Sequence, residues 1–143
     1  MKATFCAVSG AIFSFVAGLF GGWDHAVVTL LIFMAIDFAT GLIVAGVFHK
    51  SSKTENGSLE SRAGFKGLCR KATILLIIIV AHRLDVELGA TYIRDGVCIA
   101  FMVNETISIL ENAGLMGITI PPGLSNAIEL LKQKTDDTTS SEE

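Results

Sequence analysis

Ionisable and amide side chains interrupt the apolar stretches of this sequence, and they are the residues whose types could carry chemistry. A charge at the centre of a bilayer costs about 2.5 to 3.5 kcal/mol on insertion scales, so such residues normally face a bundle interior or water. Asp37 is the single interruption in the apolar stretch from 26 to 48, and Thr40 lies on the same side. Its carboxylate either faces a pore or an oligomer interface, or it is protonated or bonded to another helix.

The stretch from about 96 to 115 carries the clearest polar stripe. At 100° per residue, its polar side chains fall within an arc of roughly 120°. Such a stripe in a membrane helix lines water or an interhelical contact, whereas in a soluble protein it marks an ordinary amphipathic helix. Together with Asp37, it implies a polar interior too large for one small bundle, which predicts a homo-oligomer. The stripe consists of Asn104, Glu105, Ser108, Glu111 and Asn112.

Two further polar pairs follow the apolar run ATILLIIIVA at 72 to 81. His82 and Asp85 are three residues apart, and Arg83 and Glu87 are four apart, so both pairs can form locally on a helix. The alternative is interfacial anchoring, in which long side chains reach the membrane surface. His82 and Asp85 therefore join Asp37, Thr40 and the stripe as candidate pore-lining or interhelical residues.

Catalytic and metal-binding signatures are missing from the sequence. It contains no nucleophile elbow, phosphate-binding glycine loop or HExxH motif. The cysteines are odd in number and lack metal-ligand spacing, so they are expected to be small buried hydrophobes; they are Cys6, Cys69 and Cys98. We therefore expect no enzyme, no cofactor and no bound metal.

Composition determines which elements must position these residues. Of the 143 residues, 51% are hydrophobic and 17% charged, and the mean hydropathy is +0.60. Soluble chains average about 25% charged residues, so an all-α integral membrane protein is predicted, with three or four short hydrophobic helices and a C-terminal amphipathic helix. The single membrane domain spans 1–134, with helices at about 3–23, 26–48, 68–90, 95–116 and 122–134, and an acidic, disordered tail at 135–143.

The segment 49–71 is predicted to be a basic loop, and it sets the orientation. Under the positive-inside rule this loop is cytoplasmic, which places the C-terminus in the cytoplasm as well. Orientation and anionic lipid explain its charge more simply than nucleic acid does. The basic residues of the loop are Lys50, Lys53, Arg62, Lys66, Arg70 and Lys71.

Small residues at every fourth position predict close helix packing. Gly10, Ser14, Gly18 and Gly22 form one face of the first stretch, and Gly41 with Ala45 forms a second such pair. Two topologies remain open. A spanning first helix gives four spans and a cytoplasmic N-terminus, whereas an interfacial one gives three spans and an outside N-terminus.

Several motifs, taken in order, resemble the phage-lysis and toxin-secretion holin family of Gram-positive bacteriophages and clostridia. The resemblance covers residues 20–131 and implies a membrane protein that is not an enzyme. Such a protein forms homo-oligomers in the bacterial cytoplasmic membrane and opens holes for an endolysin or a large toxin, with an antiholin as an optional partner. The motifs are GGWD at 21–24, LLIFMAIDFATGLIVA at 30–45, SxxGFKGLCRK at 61–71, AHRLD at 81–85, NETISILENAGLMG at 104–117 and IPPGL at 120–124.

Two other interpretations are compatible with the same residues. One is a holin-like regulator that binds a partner without forming a hole. The other is a small ion channel or transporter whose intramembrane carboxylates bind cations.

Labelling of Cys6 distinguishes the two topologies. If the first helix spans, Cys6 lies near the cytoplasm and reacts with a membrane-impermeant maleimide only after the membrane is permeabilised. If the helix is interfacial, Cys6 reacts in intact cells. The measurement requires Cys69 and Cys98 to be replaced by alanine, so that Cys6 is the only labelled thiol.

Overall fold

The computed structural model describes residues 1–124, 126, 127, 129, 130 and 133, and the elements assigned within them are all helical, which confirms the all-helical part of the predicted fold class. Two helical segments, Lys2–Leu19 and His25–Phe48, are long and apolar enough to cross a membrane by length and composition. The number of spans remains a prediction. In chain order the elements are α1 (Lys2–Leu19), α2 (His25–Ile43) with its π-helical continuation (Val44–Phe48), α3 (Ser61–Leu88) and α4 (Ile93–Leu115).

Helices α2, α3 and α4 form the bundle. Helix α2 packs along α4, α3 packs on α4, and α3 contacts α2 more sparingly. The core between them is apolar, and the side chains of Leu30, Ile78 and Cys98 are completely buried in it. Each of these three residues comes from a different helix, so the core holds all three together.

Helix α1 joins this bundle only through its C-terminal end. Residues 1–15 are exposed, whereas Phe20, just after the helix, is buried in the core. Trp23 stacks on Phe13 and Phe20, with ring centroids 5.4 and 5.7 Å apart. Most of the apolar surface of α1 is therefore not covered by the rest of the chain.

Local signals explain where the first two helices meet. Gly21 and Gly22 have φ of +78° and +106°, which end α1. A Cβ on Gly21 would lie 2.6 Å from the His82 ring, so this close approach also requires glycine. The Asp24 carboxylate then begins α2 by accepting a hydrogen bond from the Val27 N–H at 3.1 Å.

Asp85 on α3 closes the hairpin with α4. Its carboxylate accepts hydrogen bonds from the backbone N–H groups of Ile93 (3.0 Å) and Arg94 (2.9 Å). The first N–H groups of a helix have no intrahelical partner, and a carboxylate there is also favoured by the helix dipole. For this reason Asp85 caps α4, and the predicted local pair with His82 does not form, while Arg83 and Glu87 do pair at 3.0 Å.

Arg94 ties the start of α4 to the turn between α1 and α2. Its side chain is 13% exposed and donates to the Phe20 carbonyl at 3.0 Å and to Asp95 at 2.7 Å. It also pairs with the Asp24 carboxylate. This network joins three elements at the end of the bundle where α2 begins.

The helix bounds differ from the predicted ones by more than two residues at two places. Helix α1 ends at Leu19 rather than 23 because of the two glycines with positive φ. Helix α3 begins at Ser61 rather than 68, so the predicted basic loop 49–71 is wrong over its last part. That part contains no proline and is rich in Lys and Arg. These two residue types favour a helix even where apolar residues do not recur at helical spacing. The basic residues moved onto α3 are Arg62, Lys66, Arg70 and Lys71.

Two predicted segments fall on the C-terminal residues. The amphipathic helix at 122–134 lies partly outside the described residues, and the acidic tail at 135–143 lies wholly outside them.

Removing the Asp85 carboxylate tests the closure of the hairpin. Asp85→Ala should lower the free energy of unfolding more than Glu87→Ala does, because only Asp85 accepts the two N–H groups of α4. Glu87 is a matched control, since it is an exposed carboxylate on the same helix end. The comparison is made by unfolding the purified protein in detergent while its helical circular dichroism is followed. Equal losses would contradict the capping role.

Candidate functional site

The site is an ionic cluster to which each helix of the bundle contributes one side chain. The Lys71 ammonium on α3 lies 2.8 Å from the Asp37 carboxylate on α2. The same ammonium donates to the Glu105 carboxylate on α4. The side chains of Lys71, Asp37 and Glu105 are 13%, 8% and 6% exposed, so the cluster is largely enclosed by the helices. We call these three residues the triad.

The lengths of the helices explain why these residues meet. Asp37 lies near the middle of the segment from 25 to 48, and Glu105 lies near the middle of α4. Lys71 immediately precedes the apolar run at 72–81 of α3. Its long methylene stem allows the ammonium to reach past the apolar side chains to the other two helices.

Asn112 extends the triad, because it lies about two helical turns after Glu105 on α4. Its amide donates to the Asp37 carboxylate at 3.2 Å and to the Thr40 hydroxyl at 3.0 Å. The Thr40 hydroxyl lies 2.9 Å from the Ile36 carbonyl, to which a helical threonine commonly donates. The predicted residues Asp37, Thr40, Glu105 and Asn112 are thus brought together between helices.

Gly41 lies beside this contact, at a distance where a Cβ would make an ordinary van der Waals contact. A Cβ at that position would lie 3.8 Å from the Asn112 amide nitrogen. One turn along, Ala45 is buried. The predicted Gly41 and Ala45 pair therefore lies where α2 and its π-helical continuation pack against the rest of the bundle.

The stability of the triad depends on the balance of its charges. With every group ionised, two carboxylates share one ammonium, which leaves the cluster with an excess negative charge. Taking ions out of water is unfavourable unless they are paired and hydrogen-bonded, and removing one partner of a buried pair typically costs 3 to 5 kcal/mol. Lys71 is therefore the group on which both carboxylates depend.

A groove of about 440 Å³ lies beside the triad. Asn104, Ser108 and Glu111 line it from α4. Asn104 and Glu111 are exposed, and Ser108 is half-buried. The predicted polar stripe thus divides into a buried part, formed by Glu105 and Asn112, and a part that faces the groove. The opposite wall carries basic residues, Lys53, Lys66 and Arg70.

The other predicted residues lie apart from this site. His82 and Asp85 are on α3 beyond the apolar run, and at 1.5 Å per residue Asp85 is roughly 21 Å along the helix from Lys71. On α1, a Cβ at Gly10 or Gly18 would meet no heavy atom within 4 Å. Ser14 is exposed, and Gly22 belongs to the turn after α1. The small-residue face therefore makes no close packing with the described part of the chain.

Sequence reasoning missed two partners. It took Lys71 as a loop residue that sets topology, and it gave no role to Arg94 with Asp24. Their positions in the sequence could have indicated these residues, because Lys71 directly precedes the uninterrupted apolar run and Asp24 directly precedes α2. Over the described residues, no group of three or more His, Cys, Asp or Glu is arranged to hold a metal ion.

Comparison with known proteins gives a family match over most of the chain. Residues 14–133 match the model described as the bacteriophage holin family, in agreement with the resemblance drawn from the motifs. No solved structure matches the chain.

Uncharacterized bacterial proteins are similar over nearly their full length. One from Listeria innocua is 37% identical over 129 residues, which is 90% of this chain and 84% of that protein. A 14.9 kDa protein of Clostridium perfringens, encoded in the nagH 3' region, is 35% identical over 127 residues, 87% of this chain and 88% of its own. One from Bacillus subtilis is 30% identical over 132 residues, 92% of this chain and 90% of its own.

Replacing Lys71 tests whether the triad holds the bundle together. Lys71→Met should lower the free energy of unfolding by about 3 kcal/mol, because it leaves two carboxylates without their shared ammonium. The triple variant Lys71→Met, Asp37→Asn, Glu105→Gln should recover most of that loss, since no unpaired charge remains. Both are measured by unfolding in detergent.

Lys66→Met is the matched control, because Lys66 is an exposed lysine on the same helix. It should change the free energy of unfolding little. A Lys71→Met variant as stable as this control would contradict the role assigned to the triad.

Proposed function

Because the chain belongs to the bacteriophage holin family, we propose that it assembles with copies of itself in a bacterial cytoplasmic membrane and opens holes there. The observation that carries this proposal is the buried triad, in which charged groups of three helices meet inside a bundle with an apolar core. The holes would release an endolysin, or another large protein, that cannot cross an intact membrane. No catalytic step is assigned to the chain.

The outer surface of the bundle suits lipid. Large apolar side chains are exposed along three of the helices, such as Ile12 on α1, Ile32 on α2 and Leu76 on α3. Contiguous exposed apolar surface of this kind is rare on soluble monomers and marks membrane or protein contacts. Family membership and the two apolar helical segments likewise point to a membrane-associated protein.

Helix α1 is the element best suited to contact a second copy. Its face of Gly10, Ser14 and Gly18 is not occupied by described residues of the chain itself. Small residues four apart allow two helix backbones to approach closely in a membrane. The opposite face, with Phe5, Ile12 and other large apolar side chains, would remain against lipid.

The triad supplies the physical reason for two states. While Lys71 pairs with Asp37 and Glu105, a single bundle hides its charges from lipid. If α3 moves away from α2, which it contacts sparingly, the Asp37 carboxylate loses the Lys71 ammonium and needs either a new cation or water. A water-filled lumen can hydrate a carboxylate within the membrane, whereas lipid cannot. The lumen would then be lined by Asn104, Glu105, Ser108 and Glu111.

Controlled expression in a bacterium separates this function from the two alternatives. A holin gives delayed and sudden killing, which is advanced by collapse of the membrane potential, and it allows a co-expressed endolysin to reach the cell wall. A regulator without pore activity gives no hole when expressed alone. An ion channel or transporter gives steady ion leakage without release of protein.

Substitutions in the stripe test whether it lines the lumen. Asn104→Leu and Glu111→Leu, at equal membrane levels, should delay killing or abolish it, because leucine removes polar groups that a lumen would hydrate and neither residue belongs to the triad. Glu55→Leu is the matched control, since Glu55 is an exposed carboxylate in the loop and lines neither the groove nor the triad. The readout is the time of the fall in culture density. Unchanged timing in both stripe variants would rule out the lumen-lining role.

A further inference from the structure

Two adjoining cavities lie where α3 runs beside α2 with few contacts. The larger is the groove of about 440 Å³ beside the triad. The smaller is a slit of about 70 Å³ between α2, the loop after it and the first turns of α3. They share part of their walls, so a single molecule can reach into both; the shared residues are Asp37, Lys53, Ala63, Gly67 and Lys71.

The groove is lined by four cations and three carboxylates, the triad included, which gives a net charge of +1 with every group ionised. Lys53, Lys66 and Arg70 line it, and Glu111 is the only carboxylate of its lining outside the triad. None of the ion pairs in the described part of the chain includes these three cations. Ammonium and guanidinium groups bind phosphate oxygens through charge-assisted hydrogen bonds, and a guanidinium can do so with two parallel bonds. The groove is therefore suited to a phosphate-bearing anion.

The slit next to it has a different chemistry. Apolar and small residues form much of its lining, which also includes Glu60; among them are Phe38, Leu42, Leu59, Ala63 and Gly64. A Cβ on Gly67 would meet no heavy atom within 4 Å, so the shared wall is open at this position. The slit can take the first methylenes of an alkyl chain, which a free phosphate ion or an acidic peptide does not possess.

Depth along α3 agrees with the interface of a bilayer. Lys66 and Arg70 lie on the part of α3 that precedes its apolar run at 72–81. Basic pockets between membrane helices at this level are where anionic lipid headgroups bind. A cation cluster, an adjoining apolar slit and this position all fit one class of ligand.

We propose that the groove and the slit form one binding site for an anionic phospholipid. The phosphate lies against Lys66 and Arg70, with Lys53 beside them, and the first methylenes of an acyl chain occupy the slit along Phe38 and Leu42. The site belongs to the single bundle, so it does not depend on whether the chain forms holes.

Native mass spectrometry of the full chain in a mild detergent tests this site, because a micelle lacks the surface field of an anionic membrane. Phosphatidylglycerol, phosphatidylcholine and inorganic phosphate are each added at equal concentration, and the retained adducts are counted. We expect phosphatidylglycerol to be retained at one site, phosphatidylcholine to be retained weakly, and phosphate to leave the lipid adduct unchanged. Displacement of the lipid by inorganic phosphate would overturn the proposal in favour of a free-anion site.

Charge variants separate the site from general electrostatics. Lys66→Gln with Arg70→Gln should weaken phosphatidylglycerol binding by about tenfold or more, since each substitution removes a charge-assisted hydrogen bond to the phosphate. Lys50→Gln with Arg62→Gln removes the same charge from residues that line neither cavity, and it should leave binding nearly unchanged. Equal losses in the two variants would overturn the proposal.

A cavity-filling variant tests the slit separately. Gly67→Leu fills the shared wall without removing a cation, and it should reduce retention of phosphatidylglycerol. Gly114→Leu is the control, because Gly114 is also helical and open but lies outside both cavities. Full retention by Gly67→Leu would show that the slit is not used. Circular dichroism confirms that each variant keeps its helices.

Discussion

Lys71 places one ammonium between carboxylates that belong to two other helices, and much of the bundle depends on that contact. Asp37 and Glu105 are both buried, so neither can rely on water for stabilisation. Each must therefore be close to the end of the lysine side chain, which fixes the relative height of α2, α3 and α4. Apolar contacts alone fix such heights weakly in lipid, because lipid tails cover apolar side chains as well as a neighbouring helix does.

The opposite end of the bundle uses polar groups for a different purpose. There Arg94 and Asp85 satisfy a carbonyl, the first N–H groups of α4 and two acidic neighbours. These bonds close turns, and they join parts of the chain that are near one another at a helix end. The triad, in contrast, joins the middle parts of helices. The bonds of Arg94 and Asp85 therefore fix how the helix ends join, whereas the triad holds the three helices against one another.

This division is consistent with a protein that changes from a closed bundle to an assembly. The apolar outer surface is compatible with lipid in both states, and α1 has a free face for another copy. The triad is stable only while the three helices stay together. If α3 moved away from both neighbouring helices, the solvation of two carboxylates would change at once. A lipid bound in the groove would contact the same helix, because α3 forms part of the groove wall.

The sequence alone determined the helical class, the membrane setting and the family, because these depend on composition, period and ordered motifs. It also singled out Asp37 and the polar stripe, since polar residues stand out in an apolar helix. It did not determine the partner of Asp37, and it placed Lys71 in a loop that the structure shows to be part of α3. Only the tertiary structure decided that pairing, because the side chains are 34 residues apart in each direction along the chain and meet through helix packing. The tertiary structure likewise decided that Asp85 bonds to the backbone of α4 and not to His82. The unpaired N–H groups at the start of α4 come within reach of Asp85 only when the hairpin folds.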